Sequence, residues 1–243
     1  MIKFFRHIRQ DLLNKGKTTK YFKYAIGEIV LVVFGILIAL SINNWNENRK
    51  LQNEELNLLL EVKSNLEVTL NNFKNDTLQN LNTIYQYRKI EHYIQEDLPY
   101  NTELDEAFGL LGTWWSPYPI STAYTTLKTK GLDIISNPSL RNNIAHMYEF
   151  EFKVLSDDYD KGEWGVTSAI TPLITKHIKR FTKNSKLYAR PNSFEYLKQN
   201  NELNNILGML IAKREFGIRT YKKTMNSMED LIQAINDELN SRK

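Results

Sequence analysis

Apolar positions fall into three patterns along the chain. From Ala25 to Ile42 they are nearly continuous, A-I-G-E-I-V-L-V-V-F-G-I-L-I-A-L-S-I, eighteen residues with one charge, Glu28. A helix of that length rises about 27 Å, enough to cross a hydrocarbon core. Its twelve Leu, Ile, Val and Phe residues favour insertion by roughly 4 to 7 kcal/mol before the cost of Glu28, which is reduced near the end of the segment. Tyr21 and Tyr24 lie on one side and Trp45 on the other, where amphipathic rings favour the headgroup layer. The second pattern is a stripe at helical spacing: Leu59, Val62, Leu66, Leu70, Phe73, Thr77, Leu81 and Ile84. A third repeats it near the end: Leu203, Leu207, Leu210, Arg214, Ile218, Tyr221, Met225, Met228, Ile232, Ile235 and Leu239. Two long amphipathic helices cannot leave such stripes in water, so they are expected to pack antiparallel.

Between Gly35 and Pro99 there is neither Gly nor Pro, so the apolar helix is expected to run on into solution. Residues 46–97, if unbroken, would extend about 78 Å. Asp76 with Gln79 has the spacing of a capping box, which leaves a break at Asn75-Asp76-Thr77 as an alternative. The intervening region reads as shorter helices. One covers Thr102 to Leu111 with Thr102 as cap, and another covers 122–130, closed by Gly131. Asn137-Pro138 provides an N-cap with proline at the first helical position, starting a helix through Leu140, Ile144, Met147 and Leu155. Pro172 starts a helix or kinks a longer one, and Pro191-Asn192-Ser193 leads into the last helix. No segment alternates with period two. The expected fold class is all-α: an N-terminal transmembrane helix continuing into an elongated antiparallel helical bundle. The corresponding division is 1–24, a basic tail; 25–45, the membrane helix; and 46–243, the helical domain.

Charge distribution sets the orientation. The net charge is +4, but residues 1–24 hold seven of the 32 Lys and Arg and one of the 28 acids, leaving 25 bases against 27 acids for the rest. A basic tail on a nearly neutral body points to a membrane surface rather than to nucleic acid. By the positive-inside rule the N-terminus is expected in the cytoplasm and residues 46–243 outside, in the periplasm of a Gram-negative cell. Ala39-Leu40-Ser41 would suit a cleavage site, yet the segment is long and continues as helix, so an uncleaved inner-membrane anchor is the expectation. In the tail, Phe5, Ile8 and Leu12 recur at helical spacing among Arg6, Arg9 and Lys15, compatible with an interfacial helix ended by Gly16.

The segment Lys23 to Glu47, K-Y-A-I-G-E-I-V-L-V-V-F-G-I-L-I-A-L-S-I-N-N-W-N-E, resembles the signature of an uncharacterised family of single-span membrane proteins. That family occurs mainly in the Bacteroidota and is catalogued as a domain of unknown function. A second block, Ala123-Tyr124-Thr125-Thr126-Leu127-Lys128 to Gly131 and Ile135-Ser136-Asn137 to Tyr148, is also similar to it. The resemblance implies an uncleaved anchor and a helical outer domain, and carries over no activity and no catalytic residues.

Candidate chemistry is sparse. Zero cysteines exclude disulfides, thiolate catalysis and cysteine-based metal sites. Glu28, Gly35 and Ala39 share one helical face, where Gly35-xxx-Ala39 lets a second helix approach closely; these three are therefore candidates for a helix–helix contact in the membrane. Trp114-Trp115-Ser116-Pro117-Tyr118-Pro119 concentrates rings that either plug the end of a bundle or meet a partner or sugar; Trp114, Trp115 and Tyr118 are the candidate partner or ligand residues. His146 with Glu149 is half of a carboxylate-bundle metal motif without its second copy. Asp158 to Gly162 opens like a calcium loop but has Ala169 where a bidentate Glu is needed. No catalytic, cofactor-binding or metal residues are expected, and no enzyme activity. The expectation is an interaction or assembly module whose partners are the lipid bilayer and a membrane or periplasmic protein or a second copy, with no nucleic acid and no cofactor. The alternatives are a sensory, ligand-binding bundle, or an accessory subunit of an ion-coupled membrane complex acting through Glu28.

Overall fold

The structure is a computed structural model that describes residues 18–242, apart from the side chains of Thr18, Lys20, Tyr21 and Tyr24. The interfacial helix expected at Phe5, Ile8 and Leu12 lies outside the described residues. The chain is all-α in class, with one small hairpin. Helix α1 covers Thr18–Gln95, 78 residues, and a 3-10 turn at Thr102–Leu104 leads into α2, Asp105–Gly109. Helix α3 is Thr122–Lys130 and α4 is Pro138–His146. Wide π-helical turns at Met147–Glu151 and Val154–Asp160 connect α4 to α5, Lys161–His177. Strands β1, Ile178–Lys183, and β2, Lys186–Pro191, are followed by α6, Phe194–Lys198, and α7, Asn201–Ser241.

The chain divides into two units after Glu55. In the first, the N-terminal part of α1 is apolar, with a mean hydropathy of 2.7 over its best window and none of that window buried. Thirteen large apolar side chains from Ile26 to Trp45 stand exposed. At about 1.5 kcal/mol or more per side chain, on the order of 20 kcal/mol of burial is left unrealised within the chain.

The second unit has two hydrophobic cores. One collects Leu59, Val62, Leu66 and Phe73 of α1 with Tyr221, Met228 and Ile235 of α7, and with α3, α4 and the π-helical turns. The other collects Ile84, Tyr87 and Ile90 of α1 with Leu203, Leu207, Leu210 and Ile218 of α7, and with α2, α5, α6 and the hairpin. Helices α1 and α7 pair antiparallel, as their stripes require. Lys74 binds Glu229 at 3.0 Å and Arg88 binds Glu215 at 2.6 Å, so fourteen residues forward on one helix are fourteen back on the other. The stripe on α1 is corrected at one position. Leu81 is exposed, and Asn80 is fully buried in its place. There is no break at Asn75-Asp76-Thr77: α1 passes through, and the Thr77 hydroxyl donates to the Phe73 carbonyl one turn back.

Capping follows local chemistry. The cap of the 3-10 turn that leads into α2 is Asn101 rather than Thr102, its side chain accepting from the Glu103 N–H. Asn137 caps α4 by accepting from Ser139 and Leu140, with Pro138 at its first position. Gly131 ends α3 at φ +105°. Pro172 lies inside α5. From α4 onward the buried residues Leu140, Ile144, Tyr148, Phe152, Leu155, Tyr159 and Glu163 recur about every four positions. In an α-helix each four-residue step overshoots by about 40°, and the wider π-helical turns absorb that drift and keep the face inward.

The β-hairpin is a feature that periodicity did not predict. Strands β1 and β2 pair antiparallel, with Ile178 opposite Pro191 and Lys183 opposite Lys186. Asn184 and Ser185 form the two-residue turn with φ +50° and +61°, the geometry that matches strand twist. Most of its side chains are exposed, so no alternation of apolar residues marks it. Strand β2 instead lies close against α2: a Cβ on Gly109 would fall 2.5 Å from the Leu187 carbonyl oxygen. Pro191 accordingly ends a strand, and Ser193 caps α6 rather than the last helix.

Candidate functional site

Between the two cores lies a polar layer, and the Trp114–Pro119 loop is tied to it. On α1, Thr77, Asn80 and Thr83 are buried, and on α7, Arg214 and Thr224. Arg214 and Glu163 are both fully shielded and meet through two hydrogen bonds, Nε to Oε1 at 3.2 Å and Nη2 to Oε2 at 2.9 Å. The remaining Arg214 Nη1 donates to the Thr113 carbonyl at 2.9 Å. The guanidinium lies over the Tyr87 ring, 5.2 Å from its centroid, and the Tyr87 hydroxyl donates to the Leu110 carbonyl. A buried ion pair is tolerable only with its hydrogen bonds satisfied in this manner.

The loop and the residues just after it are held by hydrogen bonds to five further side chains. Asn80 makes a two-way pairing with the Trp115 backbone, donating to its carbonyl at 3.0 Å and accepting from its N–H at 3.1 Å. The Tyr221 hydroxyl adds a second donor to that carbonyl. Thr69 accepts from the Ile120 N–H, and Asn65 donates to the Thr122 hydroxyl. The Trp114 indole N–H donates to Asp160 at 2.7 Å, and its ring meets Trp164 edge to face at 5.0 Å. Asp160 thus sits in a helical turn as a hydrogen-bond acceptor, and the segment Asp158 to Gly162 is not a calcium loop.

Burial differs sharply within the loop. Pro117 is buried as a plug, whereas Tyr118 is 78% exposed. The loop and α1 together form a cleft of about 380 Å³, lined by Asn72, Asn75, Asp76, Trp114, Trp115, Ser116 and Tyr118. Partial burial raises the Asp76 carboxyl above the ordinary carboxylate value. Among the described residues, no hydrogen bond or ion pair engages the side chains of Asn72, Asn75 and Asp76. Sequence reasoning found the loop's rings but missed these three residues, which the exposed side of the α1 stripe supplies. It also missed Glu163. The signal for that residue was Arg214 itself, because an arginine on a core stripe needs a carboxylate partner.

A second cleft, about 420 Å³, lies beside α3 and includes Tyr124, Lys128, Tyr148, Glu149 and Lys153. Tyr124 and Tyr148 stack at 4.4 Å. Hydrogen bonds from Lys128, Lys153 and Tyr124 bring the Glu149 carboxyl down to about 2, so its charges are already matched within the fold. His146 approaches Glu151 at 3.5 Å rather than Glu149. Among the described residues no group of three or more His, Asp or Glu forms a metal site.

In the first unit, Glu28 is half-buried and Ala39 exposed, and a Cβ placed on Gly35 would meet nothing within 4 Å. At Gly35 and Ala39 the surface of α1 is open.

No curated protein and no solved structure matches the chain. A family that is described only as one of unknown function, DUF6090, matches residues 28–173, from the apolar part of α1 through the aromatic loop to α5. The chain belongs to this family of unknown function, DUF6090.

Proposed function

We propose that the protein is a membrane-anchored helical module that works by docking a protein partner or a second copy of itself. The carrying observation is the run of thirteen exposed large apolar side chains between Ile26 and Trp45. Lipid covers such a surface without any complementary protein. The basic flank then favours a cytoplasmic N-terminus and a periplasmic bundle, in the inner membrane. Docking through the bundle is supported by Trp164, Leu78 and Tyr85, which are large, exposed and outside both cores; docking through the span is supported by the open Gly35 and Ala39 face. We take the module to be non-catalytic; its fully buried ion pair, Arg214 with Glu163, is satisfied within the fold.

The test is to purify the full, C-terminally tagged chain in mild detergent and measure the stoichiometry of what it carries. A stoichiometric protein or a defined homo-oligomer, reduced by Gly35→Leu or by Trp164→Ala, is expected. A monodisperse monomer at high concentration with nothing bound would overturn docking.

A second reading, a ligand-sensing bundle, is favoured by the loop Thr113–Ser121. Its backbone is fixed by buried side chains before any ligand arrives, the condition under which binding costs least ordering.

A further inference from the structure

The cleft between α1 and the aromatic loop has a composition that selects its ligand. Its lining contains no Lys or Arg, so it offers no cation to a phosphate or carboxylate. It contains no Leu, Ile, Val or Met, so it offers no aliphatic pocket for the anchors of a docked helix. What it does offer is ring surface from Trp114, Trp115 and Tyr118, two carboxamides from Asn72 and Asn75, and the Asp76 carboxylate. Carboxamides donate and accept, and a carboxylate accepts from two hydroxyls at once. Ring faces are negative and attract the weakly positive C–H bonds that line one side of a pyranose. Together these groups complement a ligand that is not anionic, is rich in hydroxyls and is apolar on one face.

We propose that this cleft binds a carbohydrate, with a sugar ring stacked on Trp115 or Tyr118 and its hydroxyls held by Asp76, Asn72 and Asn75. Its volume of about 380 Å³ falls within the range of small-ligand pockets. The geometry is preformed. Asn80 and Tyr221 fix the Trp115 backbone, and Asp160 and Trp164 fix the Trp114 ring. Asp76 projects from α1, one turn from the buried Asn80, so the acceptor and the stacking platform are referenced to the same helix. Burial around Asp76 also thins the competing water, which strengthens each hydrogen bond made there. The proposal rests on the ligand-sensing reading for its location and is independent of the docking one.

The experiment uses the full chain in a detergent without a sugar headgroup, titrated with cellobiose, maltose and N,N′-diacetylchitobiose while tryptophan emission is recorded. At least one disaccharide is expected to give a saturable change. Tyr118→Ala should weaken that binding about fivefold and Asp76→Asn on the order of tenfold. Both sites lie on the surface of the cleft, and an unchanged far-ultraviolet circular dichroism spectrum confirms the fold of each variant. Binding that neither variant alters would overturn the assignment to this cleft. A parallel titration with tetramethylammonium chloride separates the other case: saturation by the cation without any response to sugars would overturn the carbohydrate class and leave a ligand site standing. Silence in every titration would overturn both the carbohydrate and the ligand-sensing reading.

Discussion

Arg214 of α7 and Glu163 of α5 face each other through two hydrogen bonds, both side chains entirely shielded from solvent. They lie where the two hydrophobic cores of the second unit meet, and the third donor of Arg214 reaches the Thr113 carbonyl at the start of the aromatic loop. The pair therefore joins α5, α7 and the loop at one point.

Breaking that pair is expected to cost far more than the pair contributes in net stability. Arg214→Met leaves the Glu163 carboxylate buried without its partner, a loss of about 3–5 kcal/mol. Adding Glu163→Leu should recover most of it by removing the stranded charge. Thermal unfolding of the two variants beside the parent chain distinguishes them; equal destabilisation by the single and the double change would refute this account.

Asn80 is the principal clamp on the aromatic loop. In Asn80→Ala the Trp115 carbonyl keeps the Tyr221 hydroxyl, but the Trp115 N–H loses its acceptor. The expected cost is about 1–3 kcal/mol, with a red shift of tryptophan emission as the loop loosens. An unshifted spectrum would show that the loop is held without Asn80.

Acid should act through Glu149. Hydrogen bonds from Lys128, Lys153 and Tyr124 bring its carboxyl from an ordinary 4.5 down to about 2. A carboxyl lowered on folding stabilises the native state while it is ionised, so its contribution is complete above about pH 4.5 and fades as pH falls toward 2. Glu149→Gln should therefore lower the melting temperature at pH 7 and make no difference near pH 2. A melting-temperature gap that persists undiminished at pH 2 would count against the charge argument.

Two backbone positions give opposite expectations. A Cβ on Gly217 would collide with the Tyr159 ring, so Gly217→Ala should destabilise by about 1–3 kcal/mol through overpacking. Ser185 holds φ +61° in the hairpin turn, and Ser185→Gly should stabilise by about 0.5–1 kcal/mol by relieving the left-handed conformation. Chemical denaturation of both variants reads the two signs directly.

The parts legible in sequence were those where burial has a short period. The stripes of α1 and α7 predicted both helices and their antiparallel pairing, and Asn137-Pro138 located the start of α4. Leu81 and Asn80 show the limit: a side chain's hydropathy does not reveal that the neighbouring amide has a backbone to bind, so the leucine was placed inward and the asparagine was not. The hairpin was illegible because β1 and β2 are mostly exposed and dock on α2 through the close approach at Gly109, a contact that leaves no hydrophobic alternation. Within the candidate site, Trp114, Trp115 and Tyr118 stood out by composition. Asn72, Asn75 and Asp76 did not, because polar residues on the outer face of a helix look like ordinary solvated surface until a loop is laid beside them.

We propose that α1 anchors the chain in a membrane with its helical bundle outside the cytoplasm. The most direct test combines alkaline extraction of membranes with protease treatment of intact spheroplasts expressing the C-terminally tagged chain. The account predicts that the chain stays with the membrane at high pH and that external protease removes the tag. Release of the chain into the alkaline supernatant, or a tag that is digested only after the spheroplasts are lysed, would contradict it.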